Sequence, residues 1–278
     1  MRLGVGVLAL AACSIAACTL LVESSGLSGA RELGSADAAS DARDVVDASS
    51  DVAVDGAPGM HPYVQAVLAD GPSLYYRLEE TSGPTAKDEM GNYPGQYRAG
   101  GTRGVPGAFP GSLALLPAEG GGVDPGDIFD FVGTVAFTLE AWFRPEAYDG
   151  QYRFLFHHDY SSGPRQNYGI YGHADDGLAF ERHVDGAGRS AQAARPPVGS
   201  WYHIVGVYDG LVLKLYVNGT VVATGGDSRA AKDKPRPLRI GYGYPNGEGA
   251  LRGTLDEVAI YEKALGSDRI AAHYQAAK

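Results

Sequence analysis

The residues able to do chemistry are few, and their spacing argues against most enzymes. His157-His158-Asp159 offers nitrogen and oxygen donors. Neighbours on a strand point to opposite faces, however, so one His and one Asp would share a side, too few for a metal. The tripeptide reads as a strand running into a polar loop. Glu140 sits beside Trp142 and Arg144 and reads as a salt-bridged framework glutamate, and His203, between Trp201 and Val205, as a packed, hydrogen-bonded residue. A glycoside hydrolase needs two carboxylates about 5 to 9 Å apart. The adjacent Asp256 and Glu257 would face opposite ways on a strand. Gly-x-Ser-x-Gly and His-Glu-x-x-His are both absent, which removes the common hydrolase and metalloprotease signatures. Gly241-Tyr-Gly-Tyr-Pro-Asn-Gly247 only imitates a nucleotide loop, because Pro245 and the missing helix leave no phosphate-binding N-terminus.

Aromatic residues are more informative. Tyr148, Tyr152, Tyr160, Tyr168, Tyr171, Tyr242 and Tyr244 gather around two loops, with Arg165, Asn167 and Asn246 close by. Flat rings against C–H faces, with amides and a guanidinium for hydroxyls, are what sugar recognition uses. Tyr160, Arg165, Asn167, Tyr242, Tyr244 and Asn246 are therefore the expected ligand-binding set. The competing role for these tyrosines is anchoring half-buried strand ends and loops.

Short strands must position these residues. Of 278 residues 40 are Gly and 16 Pro, and 44% are apolar, which describes a globular chain with many turns. In the run 137–144, Phe137, Leu139, Ala141 and Phe143 alternate with Thr138, Glu140, Trp142 and Arg144; this period of two belongs to a sandwich strand. Leu213, Leu215 and Val217 repeat it and end in Asn218-Gly219, a type I′ hairpin signal. Further strands are expected at 74–78, 113–116, 153–157, 168–171, 178–184, 201–208, 221–224, 238–241 and 255–261. Short helices are expected at 62–69, with Pro62 at the first helical position, and at 267–275. Residues 61–278 thus read as one all-β antiparallel sandwich or jelly roll with short N- and C-terminal helices.

The N-terminal part reads as an address and a tether. Met1-Arg2 precedes an apolar run over 3–22 that contains Ile15-Ala-Ala-Cys18, which resembles the lipobox of bacterial lipoproteins. Cys18 is the expected lipidation site and Cys13 the second choice, since cleavage at Cys13 leaves a very short signal. Residue 19 is Thr and not Asp, which in lipoproteins implies the outer membrane. An uncleaved signal anchor is the alternative. Residues 19–60 form an Ala/Ser/Asp tract without aromatics, with eight acids and two bases between 23 and 60. It buries too little to offset its ordering entropy, so a disordered, self-repelling tether is expected. The only two cysteines lie in the leader, so the body has no disulfide or thiolate site. A net charge of −10 argues against nucleic acid as a partner.

Several blocks carry a family likeness. Pro72-Ser-Leu-Tyr-Tyr-Arg-Leu-Glu-Glu-Thr-Ser-Gly83, Asp88 with Gly91-Asn92, Phe137-Thr-Leu-Glu-Ala-Trp-Phe143, Trp201-Tyr-His-Ile-Val205, Leu215-Tyr-Val-Asn-Gly219 and Gly253-Thr-Leu-Asp-Glu-Val-Ala-Ile-Tyr261 follow one another in order. Together they resemble bacterial laminin-G-like jelly rolls. The resemblance implies the concanavalin A-like lectin/glucanase sandwich over 61–278, a fold that hosts lectins, adhesion modules and glycan hydrolases. It also implies a structural Ca²⁺ at Asp88, Asn92 and Asp256; the alternative is that Asp88 caps its own turn and Asp256 accepts loop amides. Asp256 is expected on the same strand face as Val258 and Ile260. Three functional readings follow. The first is a membrane-anchored, non-enzymatic module that recognises carbohydrate or a cell-surface protein. The second is a structural envelope lipoprotein without a small ligand, and the third an atypical glycan hydrolase.

Overall fold

The computed structural model describes residues 59–278 apart from 159–166, 174, 176, 234–235 and 245–248. The lipidation cysteines and the tether lie outside the described residues, as do Tyr160, Arg165 and Asn246. Sixteen strands among the described residues form two antiparallel sheets. The first sheet runs β14 (Thr220–Gly226), β13 (Val212–Val217), β12 (Tyr202–Tyr208), β7 (Phe137–Pro145), β16 (Gly253–Tyr261), β5 (Leu113–Leu116) and β4 (Thr102–Pro106), with β1 (Leu74–Tyr76) also on β16. The second runs β11 (Ala187–Ala193), β10 (Gly177–Val184), β9 (Asn167–His173), β8 (Arg153–His158), β15 (Leu238–Ile240), β6 (Val123–Gly126), β3 (Gly95–Tyr97) and β2 (Thr85–Ala86). The expected sandwich is present, and its main core lies between the sheets around Phe137, Leu139, Ile170, Phe180, Ile204 and Leu255.

Helix α1 (Pro62–Ala69) starts where His61 accepts a hydrogen bond from the Tyr63 amide, with proline in the first turn. Helix α2 (Ser267–Ala276) closes the chain. A second apolar cluster joins Tyr63, Val64, Val67 and Ile270 of these helices to Trp142, Val205, Val207, Ala259 and Tyr261 on the outer face of the first sheet. Helix cover explains why β16 is buried at every position and β7 at all but Arg144. No helix among the described residues is long and apolar enough to cross a membrane.

The Asn218-Gly219 turn has φ of 53° and 77°, the positive pair that a type I′ hairpin requires. It packs on α2, where a Cβ at Gly219 would press to 3.1 Å from Tyr274.

One expectation about strand parity fails. On β16 the register with β7 shifts between Asp256, opposite Trp142, and Ala259, opposite Glu140. Two residues oppose Ala141 there, and Glu257 takes a φ of 51°. Such a bulge flips the alternation downstream. Asp256 therefore shares the outer face with Trp142, not the inner face of Val258 and Ile260.

Candidate functional site

Outer-face chemistry divides sharply between the two sheets. Under the helices the first sheet buries a closed polar network around Glu140, whose carboxylate accepts from Tyr63 Oη (2.9 Å), His203 Nε2 (2.7 Å), His273 Nδ1 (3.0 Å) and Tyr261 Oη (3.1 Å). Burial alone would raise the Glu140 pKa, but charge on His273 and the hydrogen bonds from both histidines outweigh it and hold it well below the usual carboxylate range. All five side chains are fully buried, so the network stabilises the fold and presents nothing to a ligand.

Among the described residues none covers the outer face of the second sheet over β8, β9 and β10, and a cleft of about 390 Å³ lies there. Strand register builds it in rows. His157 pairs with Gly169 and Gly169 with Glu181, so a glycine floor separates two polar side chains. They stand two strand spacings apart, roughly 10 Å. A Cβ at Gly169 would come within 2.5 Å of the Phe156 carbonyl, so this central position cannot carry a side chain. The next row sets Phe154 against Tyr171 and Ala179, and the third pairs Asn167 with His183. A bulge between Phe154 and Phe156 turns Phe154 outward while Leu155 and Phe156 both enter the core.

Rings wall the cleft. Tyr244 meets Phe154 and His157 edge-on at 5.8 and 5.4 Å, and His157 stacks on Phe154 at 4.1 Å. Tyr152, 43% exposed, meets Tyr171 edge-on at 5.1 Å. Polar groups are held in place: Tyr171 Oη donates to Glu181 (3.3 Å), Glu181 lies 3.1 Å from His183 Nε2, and His157 Nδ1 bonds the Gly243 carbonyl. The arrangement offers flat apolar surfaces beside one carboxylate, one amide and two imidazoles.

Of the expected ligand set, Asn167 and Tyr244 line this cleft. Tyr242 does not. It is 1% exposed, its hydroxyl donates to Asp124, and Arg98 lies 4.7 Å above its ring. Two residues apart on a strand, Tyr242 and Tyr244 would share a face, but 241–244 lie beyond β15 and Gly241 takes a φ of 80°, so the alternation is broken there. Tyr148 packs over Gly172 and donates to the Pro196 carbonyl. Phe154, His157, Gly169, Glu181 and His183 were not expected in the site. The alternation of Leu178, Phe180 and Arg182 with Ala179, Glu181 and His183 was the available signal for two of them.

Asp88 and Asp256 take the amide-accepting role. Asp88 Oδ1 accepts from the amides of Tyr75 (2.8 Å) and Met90 (3.1 Å), and Oδ2 from those of Asn92 (2.9 Å) and Tyr93 (3.0 Å). The Asn92 side chain is exposed. Asp256 accepts from the Glu257 amide on Oδ1 and the Ala108 amide on Oδ2, both within 2.9 Å. A Ca²⁺ ion would have to displace these donors, and the donor set as arranged suits N–H groups, not a cation needing six to eight oxygens.

Comparison with known proteins agrees with this architecture. The Laminin_G_3 family model, described as the concanavalin A-like lectin/glucanases superfamily, matches residues 118–271. No curated protein matches the sequence. Among solved structures, domain 4 of AbnA, an extracellular GH43 arabinanase of Geobacillus stearothermophilus solved with arabinotriose, superposes with a TM-score of 0.58 at 17% identity, covering 73% of this chain and 98% of that domain. The binding domain of Paraclostridial Mosquitocidal Protein 1 gives 0.57 at 17% identity over 74% of this chain and 52% of that one. A Trypanosoma rangeli sialidase mutant displaying trans-sialidase activity gives 0.56 at 17% identity over 77% and 35%. The chain thus spans about half of the toxin domain's structure and a third of the sialidase, and these likenesses concern the fold. With the family model matching more than half of the chain, this protein belongs to the concanavalin A-like lectin/glucanases superfamily.

Proposed function

We propose that this protein is a non-enzymatic recognition module that binds carbohydrate in the cleft of the second sheet and is held at the outer membrane through a lipid on Cys18. One observation carries the reading: the helices cover the outer face of the first sheet, whereas the other outer face bears a ring-walled cleft with oriented polar groups. Support comes also from the arabinanase domain of the same fold, solved with arabinotriose. Glu181 is the sole carboxylate among the described residues lining the cleft, and cleavage of a glycosidic bond generally uses a pair. Binding without turnover is the chemistry this set suits.

A glycan array probed with the protein should give saturable binding to a limited set of sugars. Tyr244→Ala should weaken it at least tenfold, a loss of about 1.4 kcal/mol, with an unchanged melting temperature. Absence of any bound glycan would favour the envelope-structural reading, and reducing-sugar release would favour the hydrolase. For the anchor, radiolabelled palmitate should enter the wild-type chain. Retention of label in a Cys13→Ala/Cys18→Ala variant would refute lipidation at this box.

A further inference from the structure

A second site lies next to the cleft strand but on its inner side. Asp127 and Asp130 follow β6, and His158 ends β8; one ligating atom from each lies within 4.8 Å of the other two. Among the described residues this is the one such group of three. Phe129 and Phe131 insert into the core on either side of Asp130 and fix the segment. His158 is 3% exposed, and its ring lies flat on Tyr168 at 4.8 Å.

Two buried polar atoms here lack a hydrogen bond. His158 Nε2 and Asp130 Oδ1 are 3.4 Å apart, both buried, and neither has a hydrogen-bond partner. Orphaned buried atoms are rare enough to need a cause. The separation has a simple one. Two ligands about 2.1 Å from a tetrahedral metal ion stand about 3.4 Å apart. Asp127 is oriented by the Arg236 amide, which donates to its Oδ1 at 2.6 Å, as outer hydrogen bonds orient metal ligands.

We propose that His158, Asp130 and Asp127 bind a first-row divalent metal ion, Zn²⁺ by preference, with the remaining coordination position filled by water or a ligand donor. Imidazole among the ligands selects against Ca²⁺ and Mg²⁺, which take oxygen. His158 follows His157 of the cleft on β8 and so faces the opposite way, although Asn167 and Tyr168 line both hollows.

The test uses the full chain in a Cys13→Ser/Cys18→Ser background, which removes its only thiols. After chelator treatment, ZnCl₂ is titrated by calorimetry and CoCl₂ by visible absorption. One equivalent of Zn²⁺ should bind, and Co²⁺ should develop d–d bands displaced by Zn²⁺. Asp127→Asn, an exposed change that spares the fold, and Asp130→Asn should each weaken binding at least tenfold while the metal-free melts stay alike. Absence of saturable binding, or binding that survives both substitutions, overturns the site. Should His158→Gln fail to fold, the two Asp variants still decide.

Discussion

Replacing His273 with alanine should lower the unfolding free energy by about 3–5 kcal/mol, the usual cost of breaking a buried ion pair from one side. His273 Nδ1 bonds Glu140 (3.0 Å) and Nε2 bonds Asp70 (2.8 Å). Both partners are carboxylates, so both ring nitrogens must donate and the imidazole is a cation. Burial works against that charge, but Glu140 and Asp70 outweigh it and raise the His273 pKa. Removing the ring leaves Glu140 fully buried with its cationic partner gone, and opens a gap between α2 and the sheet. Tyr63, Tyr261 and His203 still donate to Glu140, yet the two tyrosine hydroxyls bring no charge to it. Total stability of a domain is commonly 5–15 kcal/mol, so the variant should be near the edge of folding. Urea unfolding at pH 6 gives the answer. A loss below about 1 kcal/mol would mean that the network contributes geometry and little energy.

That network was half legible in the sequence. Glu140 and His203 read as framework residues because a lone carboxylate in an apolar strand must be paired. His273 was not singled out, since its partner lies 133 positions away and on another kind of element. The same limit governs the rest. Strands β7 and β13, the Asn218-Gly219 turn and both helices are local in origin, written in period two, positive φ and an N1 proline, and the structure has them where the sequence puts them. Facing of Asp256 depended on a bulge of two residues opposite Ala141, which strand periodicity cannot show. The cleft depends on register among three strands, because His157 and Glu181 become neighbours only across Gly169. Grouping residues by closeness in sequence found Asn167 and Tyr244 and also gathered Tyr242, which the irregular chain after β15 buries.

Stability should fall as pH rises from about 4.5 to about 7, by on the order of 3 kcal/mol from Glu257 alone, and Glu257→Gln should make that fall shallower. Glu257 is fully buried at the bulge of β16. Burial and the charge of Glu79 push its carboxyl up to about 7, although the Tyr75 hydroxyl and Arg77 draw it back. Asp256 beside it is raised as well, by burial first and by Glu257 second. A carboxyl whose folded pKa exceeds its unfolded value holds a proton that the unfolded chain has released. Its stabilising contribution is therefore full below the unfolded value near 4.5 and disappears by the time the folded group ionises near 7. Glu140 acts in the opposite sense: its pKa is depressed, so its contribution is full above about 4.5 and lost as pH falls through the folded value. His273, raised, contributes fully below its unfolded pKa near 6.5 and loses that contribution as pH rises through the folded one. Asp256, raised like Glu257, adds to the falling limb, and together these groups place maximum stability on the acid side of neutrality, near pH 5. Urea unfolding from pH 4 to 8 should show this maximum in the wild type and a shallower fall towards pH 6.5 in Glu257→Gln, where the amide still accepts from Tyr75. A wild-type profile flat between pH 5 and 7, or an equal slope in the variant, would show that Glu257 is ionised throughout and that Arg77 outweighs burial at the bulge.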